Sequence, residues 1–312
     1  MGARSRRITI VVTPGSGNGR ALGRALALRD GLERRGHRAT LEAFADLDTL
    51  RAWASHGGAP CSLLICIGGD GTLCTAAGWA VRRSVPFLAI PAGFGNLFAG
   101  ALGQPRRLEK AIELVDHGTF RAVDVGLRNG EPFLCHESFG FLQSIQDRTE
   151  AVTDQPRGGW RRALAYYRTA VCHMRESPLP RLRVAVDHRV VAADAAIVTV
   201  SNVATYGPWL PLTPEASPID GLLDVFVMLG RSRREIATRL VAHQLRVSSP
   251  DERAMLYRAQ RVSVIGPDGV RDEMTLLPGR LTVVVSRETA EALQQDRTRI
   301  EVAAPLGRAE VA

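Results

Sequence analysis

The chain has 312 residues, of which 45% are hydrophobic and 23% charged, and its formal net charge is +8. These values are typical of a globular protein with one large domain or two ordinary ones, and no apolar run reaches the ~20 residues of a membrane-spanning helix. The positive charge favours anionic partners such as phosphates, nucleic acid or an acidic membrane face. The arginines are scattered along the chain, so a genome that prefers Arg codons is the alternative explanation.

The first part of the chain alternates apolar runs with stretches of helical periodicity. Strands are predicted at 8–13, 39–44, 62–67 and 86–90, and helices at 20–35, 47–56, 73–82 and 107–117. Repeated strand–helix units indicate an α/β fold with a doubly wound parallel sheet. In such sheets ligands bind beyond the carboxyl ends of the strands, and three glycine-rich segments of this chain follow strands.

Short strands with turn signals between them replace this alternation after residue 122. They are predicted at 123–127, 131–136, 182–186, 189–192, 196–201, 222–228, 261–265 and 281–286, with helices at 160–175 and 233–245. The pattern predicts a mostly antiparallel β domain. We therefore expect a nucleotide-binding domain over 1–122, a β-rich domain over 123–290, and a tail over 291–312 that could pack back on the first domain.

The segment from Gly68 to Leu73, GGDGTL, joins a predicted strand to an apolar helix. Its three glycines let a ligand approach the backbone, and the helix N-terminus favours an anion. Thr72 offers a hydroxyl, whereas Asp70 would repel a phosphate unless it orients the loop or helps to hold a cation. The residues alone leave a tight turn with Asp70 as N-cap as the alternative.

Two more glycine-rich turns follow the first and fourth predicted strands. Ser16 and Gly17 lie in the first of them, and Gly93 and Asn96 in the second. Asn96 could bond a nucleotide or cap the following helix. Since all three turns are expected at one edge of the sheet, together they predict a phosphate-binding crevice.

Four segments resemble the diacylglycerol kinase catalytic-domain family, which includes bacterial lipid kinases and sphingosine kinases. They are TPGSGNGRA, GGDGTL, PAGFGNLFA and, at residues 220–225, DGLLDV. The resemblance implies a Rossmann-like nucleotide domain, a β-rich lipid domain and an active site in the cleft between them. It also implies an ATP-dependent kinase that phosphorylates the hydroxyl of diacylglycerol or a related lipid.

The resemblance assigns roles to individual residues. The nucleotide would contact Gly68, Gly69, Asp70, Gly71, Thr72, Leu73, Gly93, Asn96, Ser16 and Gly17. Mg²⁺ would bridge the phosphates of ATP, and a structural Mg²⁺ would lie at Asp220 with the backbone around Ser217 and Leu222. Judged on its residues alone, the turn that contains Asp220 is equally a simple chain reversal.

The family's catalytic base lies in an Asp-Gly-Glu before a Pro-Gly, where this chain has Arg271-Asp272-Glu273. Counting back from the Pro-Gly at 278–279 matches Glu273 to the family's glutamate, and a shift of one residue makes Asp272 the matching aspartate. A carboxylate within hydrogen-bond reach of the lipid hydroxyl would take its proton. Both residues are candidates, and two solvated acids in a loop are the alternative.

A lipid substrate implies peripheral association with the inner face of the membrane. The five cysteines have no paired spacing, and the apolar run at 8–12 is too short for a signal peptide, so we expect a cytoplasmic protein. The arginines at 161, 162, 231, 233 and 234 could contact anionic headgroups. No nucleic-acid partner is expected, and a homodimer stays open.

Two other functions stay open from the sequence. An NAD kinase shares GGDGT and a two-domain plan, although DGLLDV argues against it. A nucleotide-binding regulatory protein that has lost its base is the second, because Arg271-Asp272-Glu273 departs from the family pattern.

Overall fold

The computed structural model describes residues 5–17, 19–93, 95–144, 179–204, 212–244 and 253–302. The helix predicted at 160–175 lies outside these ranges. In chain order the elements are β1 (Arg7–Val12), α1 (Ala21–Arg34), β2 (Arg38–Ala43), α2 (Leu47–His56), β3 (Leu63–Gly68), α3 (Asp70–Arg83), β4 (Phe87–Pro91), α4 (Leu97–Ala101), α5 (Leu108–His117), β5 (Thr119–Arg128), β6 (Glu131–Phe133), β7 (His136–Gly140), β8 (Leu182–Val186), β9 (Arg189–Ser201), β10 (Leu223–Leu229), α6 (Arg233–Gln244), β11 (Ala254–Ala259), β12 (Arg261–Ile265), β13 (Arg271–Val285) and α7 (Arg287–Val302).

The described residues divide into two compact units. Unit 1 takes its residues from 1–125, 217–221 and 277–312, and unit 2 from 126–216 and 222–276. The chain therefore passes between the units four times, whereas the sequence predicted boundaries near residues 122 and 290. The last segment belongs to unit 1 because β13 pairs there with β4, Val283 opposite Phe87, and because Ala290 and Leu293 of α7 are buried.

Unit 1 is built on a parallel sheet with the strand order β13–β4–β3–β1–β2. Ile10 of β1 lies opposite Leu41 of β2 and Ile65 of β3. Both β1 and β3 are apolar along nearly their whole length, as expected for strands covered on both faces. The strand order reverses between β1 and β3, and this is the position where ligands bind in open α/β sheets.

The helices of unit 1 follow from their apolar spacing and their caps. In α1, Ala21, Ala25, Leu28 and Leu32 recur every three or four residues and bury one face against the sheet. The third helix begins at Asp70, three residues earlier than predicted. Its N-cap is the extended Gly69 rather than Asp70, so the N-cap alternative for that carboxylate is wrong.

Unit 2 contains the predicted antiparallel β region, with β11–β10–β9–β8–β12–β13 as neighbours. One long strand, β9, replaces the two strands predicted at 189–192 and 196–201, and pairs with β8 and then with β7. A further strand, β11, was not predicted. The predicted α/β class with a parallel and an antiparallel part is confirmed.

The start of β13 is the main difference from prediction. The strand begins at Arg271, ten residues before the predicted start, so Asp272 and Glu273 lie in a strand and the loop alternative is wrong. Met274 and Leu276 point into the core of unit 2 in the alternating pattern of a strand. The three charged residues before them do not show this alternation, so the start of the strand was not predicted. Among the described helices, none is long and apolar enough to cross a bilayer.

Candidate functional site

The three glycine-rich turns of unit 1 leave the carboxyl ends of the neighbouring strands β1, β3 and β4. A Cβ on Gly93 would lie 2.5 Å from the Cα of Gly69, so the turns after β3 and β4 touch backbone to backbone. A Cβ on Gly17 would lie 2.9 Å from the carbonyl oxygen of Ala92, which joins the turn after β1 to the same cluster. The predicted convergence of these turns is therefore present in unit 1.

A chain of three hydroxyls links two of these turns. The Oγ1 of Thr72 lies 3.0 Å from the Oγ1 of Thr13, which lies 2.7 Å from the Oγ of Ser16. Both threonines are buried, so the Thr72 hydroxyl faces its neighbours rather than solvent. Thr13 was not predicted as a site residue. The available signal was its position, because a polar side chain at the end of a buried strand needs a hydrogen-bond partner.

Asn96 stands at the N-cap position of α4, but its side chain shapes the turn after β4 instead of bonding a free N–H of the helix. Its backbone is left-handed, with φ at 51°, and its side chain makes no cap hydrogen bond. Its Oδ1 accepts the Gly93 N–H at 2.8 Å, and its Nδ2 donates to the Gly93 carbonyl at 2.6 Å. The buried amide thus fixes both peptide groups that flank Gly93, and the alternative of a side-chain cap is wrong.

Asp70 ties the first turn of α3 to the turn before α4. Its Oδ1 accepts the N–H of Phe98 at 3.4 Å, and a Cβ on Gly95 would lie 2.9 Å from its Oδ2. The sequence left two roles open for this carboxylate, which were to orient the loop or to help hold a cation. The contact with the turn before α4 supports the first role.

The remaining residues of GGDGTL play different parts. Leu73 is completely buried and packs in the interior. A Cβ on Gly68 would lie 2.5 Å from the Cβ of Thr72, so that position has no room for a side chain. Gly71 is exposed in the first turn of α3, where helix N–H groups lack partners inside the helix and attract anions.

A buried carboxylate that the sequence analysis missed holds three segments of unit 1 together. Asp124 accepts the N–H of Gly221 at 2.8 Å through Oδ2 and that of Gly279 at 2.6 Å through Oδ1. Its own N–H donates to the carbonyl of Pro218 at 2.7 Å. The available signal was an acid within the apolar run Ala122–Val125, since a charge in such a run needs partners.

The predicted Mg²⁺ ligands lie in and beside one of these segments. Ser217 and Asp220 belong to the segment 217–221 of unit 1, and Leu222 follows it directly. One carboxylate with main-chain carbonyls is an all-oxygen donor set that suits Mg²⁺ when waters complete its coordination. No group of three or more His, Cys, Asp or Glu side chains gathers within the described ranges, so these residues would bind a largely hydrated ion.

The two candidate bases lie in β13 of unit 2 and differ in environment. The Glu273 side chain is 61% exposed, and its Oε1 lies 3.3 Å from Arg271 Nη1. The Asp272 side chain is 18% exposed. Its Oδ1 accepts from Arg128 Nε at 2.9 Å and from Asn129 Nδ2 at 2.8 Å. Of the two carboxylates, only that of Asp272 is therefore held by side chains from another strand and turn.

Arg128 is the centre of a polar cluster that sequence reasoning missed. Its Nη1 donates to Glu137 Oε2 at 2.8 Å, and its guanidinium lies 4.7 Å from the centre of the Phe139 ring. Burial acts to lower the pKa of Arg128, but the hydrogen bonds to Asp272 and Glu137 outweigh it and raise the pKa. Burial raises the pKa of Glu137, although Arg128 opposes this.

A cavity of about 510 Å³ lies within unit 2. Its lining is mixed, with apolar walls and a few polar groups, and its volume is within the range of small-molecule sites. The residues that line it are Arg128, Phe139, Gly140, Gln143, Ser144, Pro180, Leu182, Val264, Gly266, Pro267, Asp268, Val270 and Asp272. Asp272 therefore borders a space that could hold an acceptor, and Glu273 does not.

Two family models and several curated proteins match this chain. Residues 7–127 match the family model of the diacylglycerol kinase catalytic domain, and residues 144–283 match that of the YegS C-terminal NAD kinase beta sandwich-like domain. The chain is 28% identical to the diacylglycerol kinase of Bacillus subtilis strain 168 over 251 residues, covering 74% of this chain and 80% of that protein. It is 29% identical to the diacylglycerol kinase of Mycobacterium tuberculosis strain H37Rv over 176 residues, covering 54% of this chain and 55% of that one.

The solved structures show the same fold. A diacylglycerol kinase from Bacillus anthracis strain Sterne superposes with a TM-score of 0.65 at 18% identity, covering 92% of this chain and 99% of that one. The chain spans about half the length of several curated relatives that it matches.

Proposed function

Because this chain belongs to the diacylglycerol kinase catalytic-domain family, we propose that it transfers the γ-phosphate of ATP to the hydroxyl of diacylglycerol or a related lipid. The observation that carries the proposal is the convergence of three glycine-rich turns beside the first turn of α3. Backbone N–H groups and the absence of side chains at Gly69 and Gly93 suit the close approach of a polyphosphate.

The residues of unit 1 have distinct tasks in this proposal. Asn96 and Asp70 hold the turn after β4, and the hydroxyl chain holds Ser16. Mg²⁺, when bound with ATP, supplies charge neutralisation across the phosphates. The segment with Ser217 and Asp220 would hold a structural ion through oxygen ligands.

Asp272 is the proposed general base. Its carboxylate would take the proton of the lipid hydroxyl while that oxygen attacks the γ-phosphorus, and the bond to the β-phosphate oxygen breaks to leave ADP. The cavity beside Asp272 offers apolar walls for the hydrocarbon part of the acceptor. Glu273, which is exposed and paired with Arg271, is the less suitable candidate.

The experiment is transfer of labelled γ-phosphate from ATP to a total lipid extract in mixed micelles with Mg²⁺. Asp272→Asn should lower transfer roughly 10²- to 10⁴-fold, the usual contribution of a general base. Glu273→Gln, its neighbour on the same strand, should keep most of the activity. A parallel reaction offers NAD as the acceptor. Transfer to NAD and not to lipid, or ATP binding without transfer to either acceptor, would contradict the proposal.

A further inference from the structure

The hydrogen bonds of Asp272 are all on one side of its carboxylate. Both Arg128 Nε and Asn129 Nδ2 donate to Oδ1, and none of the described residues donates to Oδ2. A carboxylate held in this way keeps one oxygen available while the other fixes its orientation. Because Asp272 lines the cavity of unit 2, that arrangement suits a group that must accept a proton from a bound alcohol.

The arginine in this cluster divides its donors between two acids. Its Nε donates to Oδ1 of Asp272 at 2.9 Å, and its Nη1 donates to Oε2 of Glu137 at 2.8 Å. The guanidinium carbon also lies 4.7 Å from the centre of the Phe139 ring, a contact that attracts a cation to the ring face. Glu137 and Phe139 therefore hold Arg128 where its Nε reaches Asp272.

We propose that Arg128 is the positioning residue of the phosphoryl acceptor site, that it orients Asp272 through the hydrogen bond from its Nε to Oδ1, and that Glu137 and Phe139 hold its guanidinium in place. This inference rests on the proposed function, in which Asp272 is the base. The raised pKa of Arg128 agrees with a guanidinium that serves two acids at once.

The charges around Asp272 come from several elements. Arg128 belongs to β5 and Glu137 to β7, and Asp268, from the hairpin between β12 and β13, lines the same cavity. On β13 itself, Arg271 and Glu273 flank Asp272 and pair with each other. The nearest titratable neighbour of Glu137 along β7 is His136. Loss of Arg128 removes the cation in contact with Asp272 and one of the two hydrogen bonds that orient its carboxylate.

The test compares Arg128→Gln, Arg128→Lys, Glu137→Gln and Glu137→Leu, with the exposed Arg271→Gln as the matched control. Arg128→Gln should lower kcat roughly 100-fold, the cost of misplacing a reacting group by about 1 Å, with the KM for ATP unchanged. Arg128→Lys should recover part of the rate, and Arg271→Gln should match the wild type.

The two Glu137 variants test whether Glu137 anchors Arg128. Leucine removes the acceptor of Nη1, so the guanidinium loses one of its contacts and kcat should fall, whereas glutamine still accepts from Nη1 and should keep most of the rate. ATP affinity and thermal unfolding of each variant identify any that fail to fold. The ¹³C chemical shift of the Asp272 carboxyl, assigned with Asp272→Asn and read at one fixed pH, should change in Arg128→Gln because the hydrogen bond from Nε is lost, and this readout needs no activity.

The outcomes separate the two proposals. If the wild type phosphorylates a lipid and needs Asp272, but Arg128→Gln keeps the wild-type kcat, the inference is overturned and the function stands. If the wild type phosphorylates no lipid, the proposed function fails. In that case an unchanged ¹³C chemical shift of the Asp272 carboxyl in Arg128→Gln overturns the inference as well, and a changed one retains the positioning contact between Arg128 and Asp272.

Discussion

Gly69 and Gly93 face each other where β3 and β4 end, and a Cβ on Gly93 would lie 2.5 Å from the Cα of Gly69. A Cβ on Gly69 would lie 3.3 Å from the Cα of Gly93. Because the obstacle is backbone, it has no rotamer by which to move away. The contact keeps two strand ends close enough for their turns to share one ligand.

Gly93→Ala should therefore separate the two turns. We expect ATP affinity to fall at least tenfold and the free energy of unfolding to fall by about 1–3 kcal/mol, the usual cost of overpacking. Titration calorimetry with ATP and urea unfolding would measure the two effects. Gly23→Ala is the control, since a Cβ there meets nothing within 4 Å in a helix and should stabilise by about 0.4–1 kcal/mol. Wild-type ATP affinity in Gly93→Ala would contradict this assignment of the turns.

Thr13 should matter through the hydroxyl chain that it completes. Thr13→Val keeps the shape of the side chain but leaves the Thr72 and Ser16 hydroxyls without this partner. We expect unfolding to become easier by about 1–3 kcal/mol and the KM for ATP to rise, while Thr13→Ser should restore both. Thr75→Val, which removes an exposed hydroxyl bonded only to the Gly71 carbonyl, is the control. Equal behaviour of Thr13→Val and Thr13→Ser would show that the hydroxyl is dispensable.

The sequence predicted the local parts of this site and missed those that depend on distant partners. The turns around Gly68 and Gly93 could be predicted because they are rich in glycine and follow apolar strands. The partners of Asp124 and Arg128 could not, because Gly279 lies 155 residues from Asp124 and Asp272 lies 144 residues from Arg128. No local pattern reports such pairs. An acid in an apolar run was the one available sign.

The start of β13 shows a second limit of local pattern. Arg271, Asp272 and Glu273 follow one another in a strand whose apolar alternation begins only at Met274. Charged residues have low strand propensity, but cross-strand pairing with β12 outweighs it. The family resemblance located these residues, and the strand geometry separated their environments.

Asp124→Asn should destabilise the protein more than an ordinary surface change. Both carboxylate oxygens accept N–H groups, and the amide nitrogen of asparagine would face one of these donors. We expect the free energy of unfolding to fall by about 1.5–3 kcal/mol, the range for hydrogen bonds to a charged group. Asp48→Asn, in an exposed pair with Arg51, should change it by less than about 0.5 kcal/mol. Equal effects of both variants in urea unfolding would refute the role of Asp124.

His136 should make stability depend on pH. Burial lowers its pKa from 6.5 to about 4, so between these values the unfolded chain binds the proton more readily than the folded protein. Stability should therefore fall as the pH is lowered from about 6.5 towards 4, by about 2 kcal/mol at pH 5. His136→Gln should lose this fall, and the difference between the two proteins in urea unfolding at pH 7 and pH 5 isolates it. The same pH dependence in both would contradict the prediction.

Peripheral membrane binding remains a proposal with a direct measurement. Arg231 and Arg234 are exposed at the start of α6, whereas Arg161 and Arg162 lie outside the described residues. Sedimentation with phosphatidylglycerol vesicles should show binding that salt weakens, and the double variant Arg231→Gln, Arg234→Gln should weaken it further. The double variant Arg106→Gln, Arg107→Gln is the control. It removes the same number of charges elsewhere and therefore tests whether the position of the charges matters. Equal binding to neutral phosphatidylcholine vesicles would refute an electrostatic attachment.

The pairing of β4 with β13 has a consequence for biosynthesis. Phe87 leaves the ribosome nearly two hundred residues before its partner Val283. At about 5–20 residues per second, one edge of β4 then waits roughly 10–40 s for its neighbour. An uncovered strand edge is a template for association with other chains. Truncation before β13 should therefore leave an aggregation-prone nascent chain, and the protein's yield in a cell should depend on chaperones that shield this edge during translation.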